Sequence, residues 1–202
     1  VMNSFYNPRG KMHPEQFRFP VVSSSQDLVV ATSVFTHLLE PAARHYLHEI
    51  ARCLDEGGRA YITTFIADKD VDERASFNFS SNFGLAAVAS RDEPEMAVGY
   101  SLAGWEEMAA ESNLVIKKVF KGQWRNDGQG EDFQDALVLI KSNGLDSAIP
   151  QSSSFQTACE IFATTFRKTA RSEGVTVEEW HDIWADIHRL ESERGRPCPC
   201  GA

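Results

Sequence analysis

Three hydrophobic patterns divide this chain of 202 residues. The first is short and continuous. Asp27-Leu28-Val29-Val30-Ala31-Thr32 is β-branched and almost wholly apolar, which predicts a strand buried on both faces, as in a parallel sheet. The second pattern is helical. From about Pro41, the residues Leu47, Ile50, Ala51 and Leu54 fall at i, i+3, i+4 and i+7, and Gly57-Gly58 stands where a helix would stop. The third is again continuous, from Ala60 to Ile66, and predicts a second strand. Strand, helix and strand within about forty residues make a βαβ unit, which implies parallel pairing and a right-handed crossover.

Residues 67–100 change character. Asp68, Asp70, Asp72 and Glu73 precede Phe77, Phe79 and Phe83, and the stretch reads as a long connection with a short helix. Long connections at the C-terminal ends of parallel strands are where ligands usually sit. A helix is expected over residues 102–113, with Trp105, Met108 and Ala109 on one face. Strands are expected over 115–121 and 134–141. The intervening residues 122–133 hold Gly122, Gly128 and Gly130 and are too few for a crossover helix, so these strands should be antiparallel.

The flanks read differently. Residues 1–26 look irregular, with Asn7-Pro8-Arg9-Gly10 as a turn and Pro14, Pro20 and Ser23-Ser24-Ser25 as further punctuation. Gly144, Pro150 and Ser152-Ser153-Ser154 mark residues 142–154 as a linker. Two amphipathic helices are expected beyond it, the first carrying Phe155, Cys159, Phe162, Phe166 and Ala170. The second opens with a capping box, Thr176 and Glu179, and carries Trp180, Ile183, Trp184, Ile187 and Leu190. The expected fold is α/β: a partial Rossmann-like sheet of parallel strands with a closing antiparallel hairpin, and a C-terminal helical hairpin. Its parts are residues 1–141, the linker 142–154, and a helical extension 155–202 with a cysteine-containing tail.

Charge narrows the partners. Lys plus Arg number 20 against 29 Asp plus Glu, a net charge of -9, and mean hydropathy is -0.33. An acidic chain is poorly suited to gripping nucleic acid or an anionic membrane. No apolar run is long enough for a membrane-spanning helix. Four cysteines, Cys53, Cys159, Cys198 and Cys200, are too few and too unevenly placed for a disulfide scaffold, which makes a reducing cytoplasm the default setting. The first residue is Val1, and nothing near it resembles a signal peptide, so the chain is expected to be a fragment; a lost targeting segment stays open.

Several segments carry a family resemblance. Residues 26–38, from Gln26-Asp27-Leu28-Val29-Val30 to Phe35-Thr36-His37-Leu38, look like the fourth-strand motif of class I S-adenosylmethionine-dependent methyltransferases. Residues 46–59, ending Asp55-Glu56-Gly57-Gly58-Arg59, resemble the next helix and Gly-Gly turn. Gly122-Gln123-Trp124 and Gln134-Asp135-Ala136-Leu137-Val138 resemble the closing hairpin. Asn3-Ser4-Phe5-Tyr6-Asn7-Pro8-Arg9-Gly10 looks like the segment after the third strand. The resemblance covers roughly residues 1–141 and corresponds to the second half of that fold. The family's glycine-rich first loop, its ribose-holding acidic residue and its adenine-side Asp have no counterpart in this sequence. The expectation is a C-terminal portion of a methyltransferase domain that holds the cofactor weakly by itself.

The resemblance implies S-adenosylmethionine as cofactor, with Thr32, Ser33, Val34 and Phe35 beside its methionine end; the plainer reading is that these residues only end a strand and begin a helix. Methyl transfer needs positioned reactants, and a base where the nucleophile is a hydroxyl. His37 is the candidate base, since imidazole titrates near neutrality; the alternative is a packing role at the next helix. His45 and His48 are expected at the surface. Phe77, Phe79, Phe83, Tyr100 and Trp124 are candidates to line an acceptor pocket, or else to pack the insert onto the sheet. The run from Asp68 to Glu73 lacks an EF-hand pattern, and no metal site is expected. Pro197-Cys198-Pro199-Cys200-Gly201 resembles the opening of a zinc-binding SEC-C motif, but supplies only two of four ligands.

The leading functional reading is methyl transfer to a small organic acceptor, with no nucleic-acid or membrane partner. The alternative is a non-enzymatic remnant that binds a partner, or a second copy, through its C-terminal helices. A third reading is another nucleotide-using α/β enzyme such as a dehydrogenase. The antiparallel hairpin and residues 33–38 count against it.

Overall fold

The computed structural model describes residues 1–68, 75–130 and 132–142. They fall within one compact unit, Val1–Asp146. The expected linker and C-terminal helices lie outside the described residues, apart from the linker's first residue.

Strand β1, Gln26–Ala31, leads through a 3-10 turn, Phe35–His37, into helix α1, Glu40–Cys53, and then into β2, Leu54–Thr64. β1 and β2 are parallel, with Val29 opposite Ala60 and Ala31 opposite Ile62. Helix α2, Leu102–Glu111, precedes β6, Leu114–Phe120, and β7, Asp135–Lys141. β7 lies between β2 and β6 and is antiparallel to both, giving the sheet order β1-β2-β7-β6. The expected βαβ unit and antiparallel closing pair are both present.

Amphipathic burial holds the layers together. Ala43, Leu47 and Ile50 of α1 share one buried cluster with Ile62 of β2 and Leu137 and Leu139 of β7. Trp105, Met108 and Ala109 of α2 join the same cluster. Burying each large aliphatic side chain contributes about 1.5–3 kcal/mol. Ser101 caps α2, its hydroxyl accepting from the Gly104 amide at 3.1 Å. Arg44 of α1 reaches Glu107 of α2 at 2.8 Å and also pairs with Glu111, tying the two helices through partly exposed charges.

Three expectations need correction. Helix α1 ends at Cys53, before Gly57-Gly58. Leu54 takes an extended conformation (ψ 135°) and already pairs with Gln26 of β1. The register then jumps, because Leu28 faces Arg59, and the glycines lie in this bulge of β2. Gly57 has φ +71°, and a Cβ on Gly58 would come within 2.9 Å of the Gln26 carbonyl oxygen. The pair therefore serves a strand irregularity and not a helix cap.

Second, β1 is not buried on both faces. All six of its residues are half-buried, because β1 forms an edge of the described sheet. Third, the connection over 67–100 holds an unexpected sheet; among its described residues the short helical piece is a 3-10 turn. The sheet is small and antiparallel: β3 (Ser81–Phe83), β4 (Ala86–Val88) and β5 (Val98–Tyr100) in that order. A 3-10 turn, Pro94–Met96, precedes β5. Tyr100 bridges to Ile66 just beyond β2, which ties this sheet to the main one. No helix among the described residues is long and apolar enough to cross a membrane.

Candidate functional site at the strand ends

A parallel pair places the C-terminal ends of β1 and β2 side by side, and an antiparallel β7 starts at the same edge. Thr32 and Ser33 follow β1. Ser33 has φ +55°, a left-handed conformation that turns the chain out of the strand toward the Phe35–His37 turn. Its amide donates to Thr63 Oγ1 at 2.8 Å. Thr63 Oγ1 donates in turn to Gln134 Oε1 at 2.6 Å, and Ser33 Oγ donates to the same oxygen at 3.1 Å. One side-chain oxygen thus ties the ends of three strands. Both lone pairs of Gln134 Oε1 are engaged, and among the described residues nothing accepts from its Nε2.

The four residues expected beside a cofactor divide here. Ser33 and Val34 are exposed, and Thr32 is half-buried. Phe35 has 0% exposure and meets the Trp105 ring edge-on at 5.3 Å. Its side chain belongs to the core, so of the four only the first three present side chains at the surface.

His37 lies on the same turn and is half-buried. Its Nδ1 lies 3.0 Å from the Glu95 carbonyl oxygen. A carbonyl only accepts, so Nδ1 carries the hydrogen in this contact. The Tyr6 ring stands edge-on to the imidazole at 4.5 Å, and Asn3 Nδ2 donates to the His37 carbonyl at 3.1 Å. Asn3 Oδ1 also accepts from the amides of Phe5 and Tyr6, a local Asx turn that shapes this N-terminal cover. Ser4 bonds the Glu95 carboxylate. His37 is therefore gripped from the N-terminal segment and from the turn before β5. His48 is exposed, as expected. His45 is half-buried, with Nε2 2.9 Å from the Phe17 carbonyl oxygen.

The five aromatic candidates do not form one wall. Phe77, Phe79 and Trp124 gather around Phe65, with ring centroids 5.0, 5.6 and 5.4 Å from it. Phe133 closes the edge of this cluster and is 49% exposed. Tyr100 is elsewhere, in the main core, with 0% exposure. Its hydroxyl donates to the Leu38 carbonyl at 2.7 Å, and burial pushes its pKa far up. Phe83 ends β3 and is partly exposed. Of the acidic run, Asp68 accepts from the Leu102 amide at 3.0 Å, at the start of α2; the other three lie outside the described residues.

Sequence reading gave no role to Thr63, Gln134, Arg125 or Asp135. The last is fully buried. It accepts from the Ile66 and Gly122 amides and from Trp124 Nε1, each at 2.7 Å, and it pairs with the Arg125 guanidinium. Arg125 also lies 4.6 Å from the Trp124 ring and donates to the Ile66 carbonyl at 2.7 Å. The available signal was a charge heading an apolar strand, Asp135-Ala136-Leu137-Val138-Leu139-Ile140. Among the described residues, no group of three or more His, Cys, Asp or Glu is placed to hold a metal ion.

The order β1, α1, β2, insert, α2 and an antiparallel pair is the one that the resemblance to class I methyltransferases implies for the second half of that fold. No protein-family model matches the chain. Solved structures similar to it include the Burkholderia thailandensis 1,6-didemethyltoxoflavin-N1-methyltransferase with bound 1,6-didemethyltoxoflavin and S-adenosylhomocysteine. The TM-score is 0.45 at 12% identity, over 65% of this chain and 49% of that one. A Methanosarcina mazei S-adenosylmethionine-dependent methyltransferase gives 0.45 at 15%, over 65% of each chain. An O-methyltransferase of neocarzinostatin biosynthesis gives 0.39 at 13%, over 65% of this chain and 32% of that one. The chain spans about half the length of the first of these structures.

Proposed function

We propose that this chain is the C-terminal portion of an S-adenosylmethionine-dependent methyltransferase domain that acts on a small organic acceptor. The observation that carries the reading is the tie of Ser33, Thr63 and Gln134 across the C-terminal ends of the parallel pair and the start of β7. Ligands of open α/β sheets bind at such ends. When bound, the cofactor supplies a methyl group already activated on a sulfonium.

The residues present fit part of that cofactor. The exposed Ser33-Val34 turn, with the unused Gln134 amide hydrogens beside it, offers a surface for its amino-acid end. For the adenosine end, β1 and β2 finish in Ala31-Thr32 and Thr63-Thr64, with neither an acidic side chain nor a glycine-rich turn. The family resemblance implies that residues 32–34 lie on the methionine side, and in this reading the nucleoside is held by groups other than these.

The remaining steps belong to the chain's own side chains. Ser33 and Thr63 fix the turn, so that its exposed residues meet a ligand without reorganising, which lowers the cost of orienting the reactants. His37 Nε2 accepts the proton of an acceptor hydroxyl, and the Glu95 carbonyl holds the imidazole in the required tautomer. Over the buried Phe65 and Trp124, the half-buried Phe77 and Phe79 and the partly exposed Phe133 provide an apolar face for an organic acceptor.

The test is ultraviolet crosslinking of methyl-labelled S-adenosylmethionine to the full chain, followed by peptide mapping. Label in the peptide that spans residues 32–37 is the expected result. Label only elsewhere, or none at millimolar cofactor, would overturn the reading.

A further inference from the structure

We propose that Gln134 is a ligand-holding residue, whose side-chain amide donates to a carboxylate or other anionic oxygen of the small molecule bound at the strand ends. The inference rests on the methyltransferase reading above. It starts from hydrogen-bond accounting. Thr63 Oγ1 accepts the Ser33 amide, so its own hydrogen is free to go to Gln134 Oε1. Ser33 Oγ gives the same oxygen a second hydrogen bond. The 2.6 Å separation from Thr63 Oγ1 suits an O–H···O bond, which favours Oε1 on this side, with Nε2 directed away from the two hydroxyls.

The rest of the residue's surroundings hold that orientation. Gln134 immediately precedes Asp135, whose carboxylate is fixed by the Ile66 and Gly122 amides and the Trp124 indole. Gly122 lies against this backbone so closely that a Cβ there would sit 2.4 Å from the Gln134 carbonyl carbon. The main chain at Gln134 is thus pinned from one side and its side-chain oxygen from the other. Two N–H groups are left at a half-buried position, with no acceptor among the described residues. Orienting a glutamine through its oxygen alone is the arrangement that presents donors to a ligand oxygen.

The chemistry selected is an oxygen acceptor, and an anionic one gains most, because a hydrogen bond to a charged oxygen is roughly twice as strong as a neutral one. In the proposed reaction two ligands can carry such an oxygen: the cofactor, through its amino-acid carboxylate, and an acidic acceptor. The experiment separates these sources.

The side-chain amide signals of Gln134 are followed in nitrogen-proton correlation spectra of the full chain and are assigned by their loss in Gln134→Glu. Three probes are titrated: S-adenosylhomocysteine, 5'-methylthioadenosine (which keeps the nucleoside but lacks the carboxylate) and 1,4-dihydroxy-2-naphthoate. Movement of the Gln134 amide with S-adenosylhomocysteine but not methylthioadenosine supports the proposal with the cofactor carboxylate as ligand. Movement with the naphthoate alone supports it with the acceptor as ligand. In either case Gln134→Glu, which keeps oxygens for Ser33 and Thr63 but replaces the donors with charge, should weaken that probe about tenfold or more. If the probes shift Ser33 and Val34 while the Gln134 amide stays still, the proposal fails and the methyltransferase reading stands. If no probe moves any signal, both fail.

Discussion

The indole Nε1 of Trp124 donates to Oδ2 of Asp135 at 2.7 Å, so the loop between β6 and β7 is anchored by a carboxylate at the first residue of β7. The same carboxylate holds the Ile66 amide just beyond β2. One buried acid therefore joins the closing hairpin to the end of the parallel pair and seats the residue before it, Gln134. The Arg125 guanidinium supplies the compensating charge.

Removing one partner of a buried pair strands the other. Asp135→Ala is expected to destabilise the fold by about 3–5 kcal/mol. Arg125→Ala should cost a comparable amount, and the double variant less than the sum, because the stranded charge is gone. Urea unfolding of the three variants measures this. Additive losses would show that the two side chains act independently.

Glu49 gives the stability an acid limb. Hydrogen bonding from Arg52, opposed by burial, with help from the Phe19 amide, lowers its pKa from the ordinary 4.5 to about 2. The folded pKa lies below the unfolded one, so its contribution is complete above about 4.5 and drains away as pH falls toward about 2. Arg52 also donates to the Phe19 and Val21 carbonyls, so the pair fastens the segment before β1 onto α1. Glu49→Gln should lower the melting temperature at pH 7 while flattening its decline between pH 5 and 2. An equal acid decline in variant and parent would contradict the assignment.

Gly122 tests the close approach behind Gln134. An added Cβ would meet the backbone of Gln134 and Asp135 at 2.4 to 2.6 Å, and backbone gives way poorly. Gly122→Ala is expected to destabilise by about 1–3 kcal/mol through overpacking. Gly128→Ala is the contrasting variant, with φ +77° but open space around it, and should cost about 1 kcal/mol. Thermal unfolding of the two variants ranks them; the reverse order would show that the hairpin yields easily.

His37→Ala should reduce methyl transfer to a hydroxyl acceptor by about 10²–10⁴-fold while leaving cofactor affinity nearly unchanged. Turnover and calorimetric binding are measured on the same preparation, in a domain that binds the cofactor. Unchanged turnover would leave His37 as a packing residue, a role its contacts with Tyr6 and Glu95 could also fill.

The parallel pair is legible in the sequence because uninterrupted Val, Ile and Leu runs have few other homes. The helix between them shows through the period of Leu47, Ile50 and Ala51. Its end does not, because Leu54 satisfies the helical period and a strand equally well, and only pairing with Gln26 decides between them. The small sheet β3-β4-β5 is hidden for a related reason: strands of three residues are too short to show a period. At the site, Ser33 and His37 are singled out through the resemblance of residues 26–38 to the family's fourth-strand motif. The Thr63–Gln134 tie is not, since it joins residues 71 positions apart. The aromatic candidates mislead because ring size signals burial without saying in which cluster. Tyr100 and Phe77 look alike in sequence, yet Tyr100 packs on Trp105 and Phe77 on Phe65.

The most direct measurement is a crystal structure of the full chain grown with millimolar S-adenosylhomocysteine. The expected result places the amino-acid end of the ligand against Thr32, Ser33 and Val34, at the C-terminal ends of β1 and β2. Ligand density at the opposite ends of these strands, or none at the Ser33 turn, would contradict a methyltransferase site in this fold.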